Sequence, residues 1–535
     1  MLQVQEVNHY AVQLDEKGQP YTDVALTSTD NTTSKNVLAP ANHIIPIVFI
    51  PGIMGTNLKN NADGKPVWQP PSTDGILPTL DAILQLLKYA VKSASDRQEE
   101  LNADKVGLYL DGPIDPGISG LSKDICRQRG WGALMRASYH PVMGQLQHHL
   151  NNIMELCQLQ GWWQTNKEAT AADYGDILNG GALTENELIH AAHYRFEVWA
   201  GGYNWLKSNG DSGKAIQEYI EKTVLPFYKG TAEKVIVVTH SMGGLVSRAL
   251  TEVVKSNLVL GVVHGVQPAS GAPATYKRIR AGFEGPDQLI LGRDAADCTA
   301  IMANAPGPLE LLPFADYNQG KPWLKVRDKH SKSEKPLPVN DPYQDIYMSD
   351  KWYGLIPVAN EGLMDPATIV KPALPMGRSL RTEFKRRIGD VMNFHRLISE
   401  QYHKLTYVHY GAETSRKCWL DVFWEGSPGD KDIGDFKCLH DDLNDTITLD
   451  GNLKLTIAAP DAAGDGTVPL VSAQAQKLAK GDRIKAVFEH GTAGQGQHNT
   501  AKGYDHQSSY NDPRSVYATL YGIIKIAQEA KWATS

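Results

Sequence analysis

Val235-Ile236-Val237-Val238-Thr239-His240-Ser241-Met242-Gly243-Gly244-Leu245 runs a β-branched stretch into a helix start, with a serine at the junction. Branched aliphatic residues favour a pleated strand, so Lys234–Thr239 reads as strand, His240–Gly244 as turn and Leu245–Val254 as helix. Gly243 and Gly244 lack a Cβ, which lets the helix start pack closely on neighbouring strands. The helix N-terminus also brings its positive dipole end near the serine. A serine hydroxyl is a weak nucleophile and must be both exposed and activated. A strand-to-helix turn in a Gly-x-Ser-x-Gly setting meets the first need. Here Thr239 replaces the first glycine, so a β-branched side chain must be accommodated where backbone crowds the turn. The plainer reading is a core serine at an ordinary helix start, and the coincidence of strand, turn and helix argues against it.

Working outward, six apolar runs read as strands: Ile44–Ile50, Phe196–Ala200, Val235–Thr239, Leu258–Val266, Leu405–Tyr410 and Ile484–His490. Most are continuous rather than alternating, as parallel strands covered on both faces require. Helical patterns follow several of them, at Gly213–Val224, Gly243–Lys255 and Pro513–Glu529. The predicted fold class is therefore α/β, an α/β-hydrolase core with a mainly parallel sheet and large cap or lid insertions. Residues 1–43 read as an N-terminal lead-in, its part 11–40 rich in Thr, Ser, Asn and Asp. Residues 44–535 read as one hydrolase domain, with insertions at about 57–195, 267–404 and 411–464 too long for simple crossovers. Within the first, Pro78–Ser95 is amphipathic, with Leu80, Ile83, Leu84, Leu87 and Val91 at helical spacing. It suits either a packed cap helix or a membrane-contacting lid. Asp328–Pro338 is polar and reads as a solvated surface turn.

Composition narrows the function classes. The 535 residues carry a net charge of −7, without the clustered Lys and Arg of a nucleic-acid binder. The five cysteines form no Cys-x-x-Cys pair, against both a disulfide framework and a thiolate zinc site. Cys418 and Cys438 could still bridge within one excursion. No run approaches about 18 apolar residues, the length a spanning helix needs. Met1–Tyr10 lacks the basic start and apolar run of a secretory signal, so synthesis in the cytoplasm without a signal peptide is expected. No His-Glu-x-x-His, EF-hand loop or phosphate-cradling glycine motif appears. Asp430–Asp435 is either a solvated loop or a calcium-collecting one. No metal and no cofactor is expected, because serine hydrolysis needs none.

The remaining parts of a serine site follow in chain order. Met242 N–H supplies one oxyanion donor, and Pro51-Gly52-Ile53-Met54-Gly55 after the first strand offers the second, from Ile53 or Met54. A purely structural turn is the alternative there. The acid should follow the serine and precede the histidine. Gly464-Asp465-Gly466-Thr467-Val468-Pro469 fixes one carboxylate in a tight turn, with Asp461 and Asp450 as rivals. For the base, His506 in Gly503-Tyr504-Asp505-His506-Gln507 is favoured over His498, both lying before the last helix. His490 closes a strand and points into structure, and His240 beside the serine suits packing or orientation.

With these residues in place, a resemblance can be stated. Pro51-Gly52-Ile53-Met54-Gly55-Thr56-Asn57-Leu58, followed by Trp68, resembles the oxyanion segment of lecithin:cholesterol acyltransferase-like and GPI inositol-deacylase-like lipases. Thr239–Gly244 and Gly464–Pro469 resemble the same families' nucleophile and acid motifs. Gly202-Tyr203-Asn204-Trp205-Leu206 and Val263-His264-Gly265-Val266-Gln267-Pro268-Ala269-Ser270-Gly271 are similar to bacterial phospholipase effectors of type VI secretion. The resemblance implies phospholipid ester cleavage, a target-cell membrane as substrate, export by a specialised secretion system, an immunity protein and a secretion spike protein. A cytoplasmic esterase or acyltransferase would share the three residues, and a non-catalytic hydrolase-fold binder would be expected to lack one.

Overall fold

The computed structural model describes residues 7–11, 13–14, 20–21, 34–38, 41–70, 91–155, 158–285, 288–429, 431–492 and 496–533. Its centre is a six-stranded, all-parallel sheet of β1 His43–Ile50, β2 Tyr194–Ala200, β3 Val235–His240, β4 Val259–Gly265, β5 Thr406–Gly411 and β6 Ile484–His490. The spatial order is β2-β1-β3-β4-β5-β6. All six apolar runs thus enter one sheet, and the expected α/β-hydrolase fold with a mainly parallel sheet is borne out.

Both faces of the sheet are covered, which is why the strands are apolar throughout. Along β1, Ile45, Ile47 and Phe49 point to one side, against α1 Arg136–Leu150 and α5 Pro513–Ala527. Ile44, Val48 and Ile50 point to the other, against α2 Asn209–Tyr219 and α3 Gly243–Arg248. The period of two along a strand makes this division. Helix α2 begins earlier than periodicity suggested, at a Ser208 cap whose Oγ accepts the Asp211 N–H at 3.0 Å. Helices α2 and α3 each continue into a wider helical turn, Ile220–Val224 and Ala249–Val253.

The second and third excursions meet in a separate sheet. Glu334–Leu337, Leu324–Asp328, Val422–Gly426, Leu453–Ile457, Thr446–Leu449 and Cys438–Asp441 pair in that order. Trp323, Tyr347, Trp352, Trp424 and Leu455 form its core, joined by α4 Leu380–Ile398 through Phe384 and Ile388. Asp328–Pro338 is therefore not only a surface turn. Its second half, Glu334–Leu337, returns as a strand, while Asp328 Oδ1 accepts the His330 and Ser331 N–H groups at the bend.

Residues 78–90 of the amphipathic stretch Pro78–Ser95 lie outside the described residues. At its end Ser93 caps the helix Ala94–Glu100 through reciprocal bonds with Asp96. Cys418 and Cys438 are free thiols. Burial and the Asp465 carboxylate push the Cys418 thiol up to about 12. Its Sγ instead donates to Val468 O and accepts the Gly466 N–H.

Candidate active site

Ser241 occupies the junction of β3 and α3 with φ 52°, in the left-handed region that non-glycine residues seldom adopt. Its N–H donates to Gly265 O at the end of β4, and its carbonyl accepts the Gly244 N–H, both at 2.9 Å. The close approach that requires glycine is at Gly243, where a Cβ would lie 2.4 Å from Ile50 O and 2.6 Å from Pro51 O. A second is at Gly52, where a Cβ would meet His240 Nδ1 at 2.9 Å and Ser241 Cβ at 3.0 Å. Thr239, at the usual glycine position, is accommodated by a buried partner: its Oγ1 lies 2.9 Å from His264 Nδ1. Tyr510 O–H closes the same spot by donating to the Thr239 carbonyl at 2.9 Å.

Three side chains far apart in sequence meet here. Ser241 Oγ–H donates to His506 Nε2 at 2.8 Å, and His506 Nδ1–H donates to Asp465 Oδ2 at 2.7 Å. Asp465 is held from behind, because Thr467 and Val468 N–H both donate to its Oδ1, at 3.0 and 2.8 Å. The His506 N–H donates to Asp465 O at 2.9 Å, locking the two turns together. With Asp465 as acceptor, the imidazole proton belongs on Nδ1, leaving the Nε2 lone pair for the serine. Ser241 is 5% exposed, Asp465 1% and His506 8%.

The rivals lie elsewhere. His498 stacks on Tyr174, with ring centroids 4.5 Å apart. His490 is bonded to Tyr504 Oη and to the Tyr174 carbonyl. Asp450 pairs with Lys431 at 2.9 Å, and Asp461 gives its carbonyl to Lys417.

The Pro51–Gly55 loop is a turn closed by Gly55 N–H to Gly52 O at 3.1 Å, with Met54 at φ 63°. Ile53 and Met54 occupy its two corners, and Met242 follows Ser241 across from it. Trp68 Nε1–H donates to Met54 O at 2.7 Å, Tyr203 O–H to Pro51 O at 3.1 Å, and Trp205 Nε1–H to Thr56 O at 3.3 Å. The motif Gly202–Leu206 therefore serves as a brace for this loop.

Sequence reasoning missed Tyr139, on α1. Its oxygen accepts the Gly52 N–H at 3.1 Å and lies 3.1 Å from His240 Nδ1. No motif flags a lone tyrosine inside a long excursion. Among the described residues no group of three or more His, Cys, Asp or Glu could hold a metal ion, and Asp430 lies outside them. No described helix is long and apolar enough to cross a membrane.

Compared with solved structures, the chain matches one in the crystal structure of Tle4-Tli4 complex. The two are 43% identical over 91% of this chain and 99% of that one, with a TM-score of 0.83. The chain belongs to the Tle4 family of type VI lipase effectors. The resemblance read from its motifs is thereby borne out. A second structure, phospholipase PlaB from Legionella pneumophila, is 14% identical over 58% of this Tle4-family chain and 78% of its own, with a TM-score of 0.15. No family model and no curated protein matches.

Proposed function

We propose that this Tle4-family chain is a serine hydrolase that cleaves carboxylic esters of membrane phospholipids. The observation that carries the reading is the buried chain Ser241 Oγ, His506 Nε2, His506 Nδ1 and Asp465 Oδ2, with links of 2.8 and 2.7 Å. That is the donor and acceptor order of a nucleophile, base and orienting acid. His506 Nε2 takes the Ser241 proton as Oγ attacks the ester carbonyl carbon. Asp465 stabilises the imidazolium, and the oxyanion accepts from Met242 N–H and from Ile53 or Met54 N–H. Collapse expels the lysophospholipid alcohol, which receives the proton from His506. Water, losing a proton to His506, then frees the fatty acid from the acyl-enzyme.

Family membership supports the setting of this chemistry. Tle4 is found in complex with Tli4, and an immunity protein of that kind is proposed for this chain. Export by a type VI system on a secretion spike protein and action on a target-cell membrane complete the proposal. The excursions at 57–195, 267–404 and 411–464 would form the cap over the site.

The test expresses the chain in a bacterium with and without an added export signal, beside Ser241→Ala. Toxicity on export, with lysophospholipid and free fatty acid accumulating, is expected. Ser241→Ala, Asp465→Ala and His506→Ala should each lower turnover by roughly 10³-fold or more with folding retained. Activity confined to short soluble esters, with no toxicity in either compartment, overturns the phospholipase reading.

A further inference from the structure

His240 precedes the serine, and its ring lies between the base and the oxyanion loop. Nε2 is 3.0 Å from the His506 carbonyl oxygen, and Nδ1 is 3.1 Å from Tyr139 Oη. A carbonyl only accepts, so the His240 proton belongs on Nε2 and Nδ1 presents a lone pair. Tyr139 must then donate its O–H to Nδ1, which leaves its oxygen to accept the Gly52 N–H at 3.1 Å. With a neutral ring, no other assignment satisfies all three bonds. The ring stays neutral, since burial, with His506 adding to it, lowers His240 to about 3. Burial likewise raises the Tyr139 phenol to about 12, so it keeps its proton.

We infer that Tyr139 and His240 are positioning residues forming one directional relay, Gly52 N–H to Tyr139 O–H to His240 and His240 Nε2–H to the His506 carbonyl, which sets the oxyanion turn and the base in register with each other. This rests on the Ser241, Asp465 and His506 reading above. The ends of the relay are the two parts whose separation decides catalysis. Gly52 begins the turn that carries Ile53 and Met54, and His506 carries the Nε2 that meets Ser241. The middle is rigid. Tyr139 packs on Phe49 of β1 at 5.4 Å and edge-on to His240 at 5.5 Å. A Cβ on Gly55 would strike its oxygen at 2.7 Å, so the turn closes directly onto the phenol. Small displacements of a catalytic group cost large factors in rate, and two parts tied through shared bonds should lose rate together.

The experiment measures kcat and KM on a soluble ester for Tyr139→Phe, His240→Leu and the double variant, with His240→Gln as rescue. A glutamine amide can donate to the His506 carbonyl and accept from Tyr139. Each single variant is expected to lose about 10-fold in kcat with KM nearly unchanged. The double variant should lose little more than either single, because both cut one chain. His240→Gln should recover most of the His240→Leu loss. Wild-type kcat in Tyr139→Phe, losses that multiply in the double variant, or His240→Gln no better than His240→Leu overturns the relay. The catalytic reading is judged separately, by Ser241→Ala turnover and by stoichiometric labelling of Ser241 with a fluorophosphonate.

Discussion

Glu310 is sealed at the start of α2, where the Asn209 backbone N–H and side-chain Nδ2 both donate to its Oε2 at 2.7 Å. Burial outweighs these bonds and raises its pKa from 4.5 to about 8. A carboxyl raised on folding contributes stability that is complete below the unfolded value and is lost as pH climbs through the folded one. Glu310→Gln, which keeps an acceptor for Asn209, should therefore gain on the wild type by up to about 1.4 kcal/mol per pH unit between 4.5 and 8. Urea unfolding at pH 5 and pH 8 checks this, and a wild-type-to-variant difference that ignores pH would refute it. Nothing in the local sequence marks Glu310 as unusual, because its environment is assembled from α2 and a segment about one hundred residues away. By contrast Ser241, Asp465 and Met242 stand in turns whose glycines state their own geometry. They could be singled out residue by residue.

At the scale of elements, Arg248 joins three parts that the chain visits separately. From the end of α3 it donates to Ala269 O at 2.8 Å, to Gln401 O at 3.1 Å and to Ile398 O at the end of α4. Its guanidinium also lies 4.4 Å from the centre of the Tyr402 ring. The carbonyl end of a helix favours a cation, and a planar fork satisfies several acceptors that an ammonium cannot. Arg248→Met should lose about 3 kcal/mol or more by stranding buried carbonyls. Chemical denaturation reads the loss, and a variant within about 0.5 kcal/mol of wild type, the usual range for a neutral surface change, would contradict the role. The six central strands were legible because each is a short apolar run bounded by turn signals. The second sheet was not, since its strands come from two excursions, and Leu324–Asp328 finds its parallel partner only at Val422–Gly426.

Over the whole molecule, buried histidines set the response to acid. Burial lowers His240, His264, His395 and His490 to about 3 each, and drives His409 well below the ordinary value of 6.5. The unfolded chain takes up these protons first, so stability falls as pH drops from 6.5 toward 3, by up to about 1.4 kcal/mol per unit for each ring. Glu310 works in the opposite sense, but it is one group against several. The urea midpoint should fall steeply from pH 6.5 to 4.5, and a flat profile over that range would rule the account out. By itself the sequence determined the strand runs, the serine turn, the glycine-bearing loop at Pro51–Gly55 and the Asp465 turn. Each depends on side-chain volume and backbone conformation within a few residues. Only the tertiary structure decided which late histidine faces Ser241, 265 residues away, and that Tyr139 stands between the Pro51–Gly55 loop and His240. Those are distances between elements, fixed when the two faces of the sheet close over their helices, and no local preference encodes them.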